Sequence, residues 1–136
     1  MNTRAFDAMP DFQVLARGCE SRTVLDHVTG RWGTLILLVL DGDAKRFSEL
    51  RRSVDGINEK ALAQSLRQLE RDGFVDRSAS EGYPSRVEYR LTEVGRGVTA
   101  RLTALVDHLY EAMPQVLAAQ AEYDSSRPAA PGGPAS

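Results

Sequence analysis

The chain has 136 residues, about one domain's worth, with 42% apolar and 26% charged residues and a net charge of -2. One cysteine excludes an internal disulfide and a multi-cysteine metal site, and His27 and His108 lie too far apart to suggest a ligand cluster. The longest apolar run, Leu35 to Leu40, is far short of a membrane span, and Arg4, Asp7 and Asp11 interrupt any signal-peptide core, so a cytoplasmic protein without a membrane partner is expected.

Residues 1–18 have no sustained period and contain Pro10 and Gly18, which predicts a flexible N-terminal arm. The folded domain is expected over 19–123. Ser21 is placed to cap a short helix with Val24, Leu25 and Val28 on its apolar side, ended by Gly30. A second helix, about 31–40, is apolar almost all round and belongs at the centre of the core; Trp32, Leu35, Ile36, Leu38 and Val39 should supply most of its bulk. Asp41-Gly42-Asp43 stops it. Ser48 can cap a third helix, about 49–54, which would pack through Phe47 and Leu50, and Asp55-Gly56 makes a tight turn after it. Asn58 caps a fourth helix that runs to about Asp72, with Gly73 beyond its end.

After Gly73 the period changes. Residues 74–77 and 86–91 alternate or nearly alternate apolar with polar, as half-buried strands do, and Gly82, Pro84 and Ser85 between them predict a hairpin with a protruding tip. Val87, Tyr89 and Leu91 should face inward and Arg86, Glu88 and Arg90 outward. Thr92 caps a long last helix, which Pro114 should break or kink because proline lacks the amide proton and clashes one turn back. A further helical segment would then run to Tyr123. Residues 124–136 form a Pro/Gly/Ala/Ser tail too poor in apolar side chains to order itself. The fold class is therefore mainly α (α+β): a winged helix-turn-helix with a β-hairpin wing and an added C-terminal helix.

The fourth helix carries the most chemistry. Leu62, Leu66 and Leu69 fall within roughly 60° of one another, and Lys60, Gln64, Arg67 and Arg71 within a similar arc on the opposite side. Lysine and arginine grip phosphates, and arginine and glutamine read guanine and adenine edges in the major groove. A lone helix with such a face is usually just solvated. Here a helix, a tight glycine turn and a hairpin surround it, and the segment from Lys45 to Arg90 has ten Lys and Arg against eight Asp and Glu in an otherwise acidic chain. Double-stranded DNA is the expected partner, with Asn58, Lys60, Gln64, Arg67 and Arg71 at the major groove and Arg86 near the wing tip at the minor groove or backbone. Arg51 and Arg52, on the preceding helix, would grip the backbone and add affinity and salt dependence rather than sequence choice.

Those same segments resemble a known family. Gly30-Arg31-Trp32, Arg46-Phe47-Ser48-Glu49-Leu50-Arg51-Arg52, Gly56-Ile57-Asn58-Glu59-Lys60-Ala61-Leu62, Leu66-Arg67-Gln68-Leu69-Glu70-Arg71-Asp72-Gly73-Phe74-Val75, Pro84-Ser85-Arg86-Val87-Glu88-Tyr89-Arg90-Leu91-Thr92 and Gly95 are similar to the HxlR family of bacterial winged-helix transcription regulators, in the MarR/PadR-like superfamily. No single piece is specific, because the Leu-Glu-Arg-Asp-Gly segment also occurs in MarR-like and PadR-like regulators; the combination is. The chain departs from the family pattern at Glu20, where a proline commonly follows the cysteine, and at Ser85, where a second proline often precedes the strand.

The resemblance implies a transcriptional regulator, expected to be a repressor, that binds a pseudo-palindromic operator as a homodimer. Independently of it, Val98, Leu102, Leu105 and Leu109 are spaced four, three and four, a seam with coiled-coil spacing that Val106, Met113, Val116 and Leu117 widen, and part of it should await a second copy. Cys19 stands before the first helix, where amide dipoles favour a thiolate, with Arg17 and Arg22 helping and Glu20 opposing. A buried structural thiol is the plainer reading. The resemblance adds that some such regulators sense oxidants or electrophiles through a cysteine in this region, so an oxidant, electrophile or small-molecule effector is an expectation. No cofactor and no metal is expected. A winged-helix module that binds proteins instead of DNA is the alternative. An enzyme is not expected: there is no Gly-rich phosphate loop, no motif of paired carboxylates and no nucleophile at motif spacing from either histidine.

Overall fold

The computed structural model describes residues 12–80 and 86–127. The expected wing tip at Gly82, Pro84 and Ser85, residues 1–11 of the arm and residues 128–136 of the tail lie outside the described residues. The elements run α1 (Glu20–Thr29), α2 (Gly33–Val39), β1 (Lys45–Arg46), α3 (Phe47–Ser53), α4 (Glu59–Arg71), β2 (Val75–Ala79), β3 (Val87–Leu91) and α5 (Glu93–Ser126). One compact unit ends at Leu102 and a second, the rest of α5 onward, begins at Thr103.

The first unit is built around α2, whose Ile36 and Leu37 are fully buried together with Leu50 of α3 and Leu62 of α4. Leu66 and Leu69 of α4 close the same core with Phe74, Val75, Tyr89 and Leu91. The expected content of α2 needs correcting. Leu37 and Leu40 take the central places, Trp32, Leu38 and Val39 only flank the core, and Leu35 is 42% exposed. A helix apolar on every side has no pattern to say which side faces inward; the packing of α3 and α4 decides it.

The ends of the helices follow local chemistry. Asn58 Oδ1 accepts from the Ala61 N–H at 2.8 Å, which satisfies an amide at the start of α4. Gly73, at φ +83°, reverses the chain beyond Asp72, a conformation that costs a side-chain-bearing residue. Two caps differ from expectation. The N-cap of α1 is Cys19, not Ser21. The N-cap of α3 is Arg46, not Ser48, and Glu49 accepts the Arg46 N–H at 2.8 Å from inside the first turn.

The sheet is antiparallel in the order β1-β3-β2. Val75 pairs with Leu91, Arg77 with Tyr89 and Ala79 with Val87, while Lys45 of β1 pairs with Tyr89 from the other side. Tyr89 and Leu91 are buried and Arg86 and Arg90 exposed, as alternation requires. β1 has only two residues, both charged, and owes its existence to the ladder it makes with β3.

α5 is one helix of 34 residues, about 51 Å long at 1.5 Å per residue, and it passes through Pro114 without ending. The break expected there does not occur. Proline removes one helical hydrogen bond, but Tyr110 and Pro114 are both exposed, so water can serve the orphaned carbonyl. Among the described residues no helix is long and apolar enough to cross a membrane.

Candidate nucleic-acid interface

α3, the turn through Gly56 and α4 form the helix-turn-helix. Gly56 adopts φ +85°, so the chain can turn sharply between Val54 and Ile57, both of them buried. With Leu62, Leu66 and Leu69 held in the core, α4 has one rotation only, and Lys60, Gln64, Arg67 and Arg71 are all exposed. No side-chain hydrogen bond or ion pair joins Lys60, Gln64 or Arg67 to another described residue. A stripe of long polar side chains without internal partners is chemically available to a ligand that supplies acceptors.

The remaining expected residues sort themselves by what they touch. Asn58 is exposed, but its side-chain oxygen is committed to the cap, which leaves its amide N–H groups to meet a base or phosphate. Arg71 Nη1 lies 3.8 Å from Asp72 Oδ1. Arg51 and Arg52 sit exposed in the last turn of α3. Arg86 is exposed at the first described residue of the returning wing strand, where its backbone N–H donates to Ser80 Oγ at 2.9 Å and its carbonyl accepts from the Ser80 N–H at 2.7 Å. The root of the wing is thus fixed on both strands.

Several nearby acids are engaged with partners inside the chain. Glu49 holds the Arg46 N–H, and that hydrogen bond keeps its carboxyl below the ordinary carboxylate range. Asp72 is paired with His27, and Glu88 lies 3.6 Å from Arg90.

Arg77 is a residue that inspection of the sequence passed over. It is exposed on β2 opposite Tyr89, and with Arg67, Glu70, Ala63, Leu66 and Tyr89 it lines a cleft of about 360 Å³ between α4 and the wing. The signal was its register: alternation from buried Val75 puts Arg77 on the inner face, where a charge has no reason to be unless that face opens to solvent.

Cys19, at the start of α1, is half-buried. Its Sγ accepts the Gln13 N–H at 3.1 Å and lies 3.1 Å from Ser21 Oγ. These bonds, that of Ser21 foremost, hold the thiol below its ordinary value. The guanidinium of Arg22 is spent on the Leu15 carbonyl at 3.3 Å rather than on the sulfur.

The seam expected on the last helix divides. Leu102 is buried in the core of the first unit and Val98 packs against that core, whereas Leu105 and Leu109 are 52% and 47% exposed. Met113 and Leu117 continue the exposed apolar run along α5.

With this geometry in view, the comparisons are specific. Residues 27–116 match the family model of the HxlR-like helix-turn-helix. The HTH-type transcriptional regulator YtfH of Escherichia coli K12 is 49% identical over 109 residues, 80% of this chain and 86% of that one. Among solved structures, the ytfH protein of Salmonella typhimurium, described as a transcriptional regulator, superposes with a TM-score of 0.74 at 48% identity, covering 80% of this chain and 97% of its own. The redox regulator HypR in its reduced form superposes with a TM-score of 0.66 at 30% identity, covering 72% and 97%.

Proposed function

The chain belongs to the HxlR-like helix-turn-helix family of transcriptional regulators, and from that premise we propose that it represses transcription as a homodimer bound to a pseudo-palindromic operator. The observation that carries the reading is the exposed, internally unpartnered stripe of Lys60, Gln64 and Arg67 on a helix whose rotation the core fixes. Gln64 and Arg67 have the donor and acceptor sets for base edges; Lys60, Arg71, Arg51 and Arg52 supply phosphate contacts, Asn58 offers its amide donors, and Arg86 and Arg77 extend the basic surface onto the wing. DNA in the cytoplasm is then the site of action.

A second copy of the chain is the occupant assigned to the apolar run Leu105, Leu109, Met113 and Leu117. Leu105 and Leu109 are 52% and 47% exposed, an apolar run that the same helix of a second copy would cover, and a dimer brings two copies of α4 to one operator.

An oxidant acting at Cys19 is the assigned effector. The lowered thiol and the likeness to HypR, itself a redox regulator, both support this. With a peroxide, the thiolate attacks one oxygen, the O–O bond breaks, and Cys19 becomes a sulfenic acid as hydroxide leaves.

Selection of bound duplexes from a random-sequence pool tests the function. The expected result is one enriched sequence with two related half-sites about 10 base pairs apart. An unenriched pool overturns sequence-specific binding and favours a protein-interaction module.

A further inference from the structure

The C-terminal end of α4 contains a carboxylate that the helix itself does not want. Helix C-termini carry partial negative charge, and Asp72 is the C-cap residue of α4. Its side chain is also only 5% exposed, which adds the cost of desolvating a charge. Its partners explain why it is tolerated there. Oδ2 accepts a hydrogen bond from Nδ1 of His27, which lies on α1, 45 residues earlier in the chain, and Oδ1 faces Arg71 Nη1 at 3.8 Å. One buried carboxylate therefore spans from α1 to the last cation of the DNA-facing stripe.

We infer that His27 is a positioning residue for DNA recognition: through Asp72 it fixes the end of α4 and holds the Arg71 guanidinium toward the DNA. The inference rests on the DNA-binding reading of α4. Arg71 is 84% exposed on a flexible stem, and among the described residues the Asp72 carboxylate is the one anion its head group pairs with. Beside the pair, a cleft of about 320 Å³ is lined by Glu20, Thr23, Val24, His27, Arg71 and Asp72. Glu20 of α1 is a competing acceptor on that cleft. With His27 in place, the buried carboxylate is anchored on one oxygen and offers the other in a fixed direction. Without His27, Asp72 is free to turn toward solvent, and Arg71 loses the anion it faces and is left with Glu20 on the same cleft as an alternative.

The chemistry of the site asks only for a hydrogen-bond donor at residue 27. His27→Gln retains one in its amide, whereas His27→Ala does not. A purely structural His27 would instead lower the stability of the whole fold and weaken every DNA contact in step.

A double-mutant cycle between His27 and Arg71 tests this, read as equilibrium affinity for the duplex selected from the random pool and for random duplex, with thermal unfolding of each variant. The expected result is that His27→Ala and Arg71→Ala each weaken selected-duplex binding about five- to tenfold, that the double variant is no worse than either alone, and that His27→Gln restores binding. Effects that multiply, or loss of Gln64-dependent base discrimination together with that of Arg71, would overturn it. If His27→Ala does not fold, Asp72→Asn replaces it in the cycle, with the same criterion of non-additivity with Arg71→Ala. A wild-type protein that binds selected and random duplex equally overturns the DNA reading itself, a result separate from the cycle.

Discussion

The hydroxyl of Thr92 donates to the carbonyl of Gly73 at 2.6 Å and accepts the Gly95 N–H at 3.0 Å. One side chain thereby caps the start of α5 and secures the turn that ends α4. Thr92→Val keeps the shape and loses both bonds, and is expected to cost about 1–2 kcal/mol in denaturant unfolding. Thr92→Ser keeps the hydroxyl and should lie close to wild type.

The same junction places Gly95 against the backbone of Phe74: a Cβ there would run into the Phe74 carbonyl oxygen. The obstacle is backbone on both sides and cannot rotate away. Gly95→Ala should therefore destabilise by about 1–3 kcal/mol. Gly97→Ala is the contrast, because its added carbon would meet only the end of the Arg101 side chain at 3.7 Å, an ordinary contact. There the helix gains, by about 0.5–1 kcal/mol. Melting curves of the two variants should move in opposite directions.

Glu49 gives the protein a pH-dependent contribution. Its carboxyl is held below the ordinary glutamate value in the fold, chiefly by the Arg46 N–H and secondarily by the charges of Arg46, Lys45 and Arg52. A carboxylate whose folded value is lowered stabilises fully above its unfolded value and ceases to do so as pH falls through the lowered one. Wild type should exceed Glu49→Gln in urea unfolding at pH 7, and the gap should narrow as pH falls below the ordinary glutamate range. A gap that is constant with pH would contradict this.

The thiol of Cys19 owes its lowered value first to Ser21 and next to the Gln13 N–H. Alkylation by iodoacetamide at neutral pH should be slower in Ser21→Ala than in wild type, with the difference fading at alkaline pH as both become thiolate. Equal rates at neutral pH would remove Ser21 from the account.

How much of this was legible beforehand depends on whether the cause is local. α4 was readable from end to end, because Asn58 caps it, Leu62, Leu66 and Leu69 face one way and Gly73 must follow it. The exposure of Lys60, Gln64 and Arg67 came with that rotation. The caps at Cys19 and Arg46 were misplaced by two residues, since a serine is the stronger local signal and the true ends are set by neighbouring packing. Leu35 and Leu37 could not be told apart within a run apolar on all sides. Pro114 predicts a break only where the carbonyl it orphans is shut off from water, and the exposure of Tyr110 is a property of the fold, not of the sequence. The link from His27 to Asp72 joins residues with no pattern in common and exists only in the fold. Half of the expected dimer seam, Val98 and Leu102, proved to serve the first unit's own core, because an apolar stripe does not say which partner will cover it.

If the exposed face of α4 reads base pairs, Gln64 is the side chain whose loss should show it. Affinities of wild type and Gln64→Ala should be measured at one salt concentration for the selected duplex, for duplexes with single base-pair changes in each half-site, and for random duplex. Gln64→Ala should lose about 1–3 kcal/mol of discrimination at one base pair in each half-site while its affinity for random duplex stays unchanged. Equal weakening on selected and random duplex alike would contradict it.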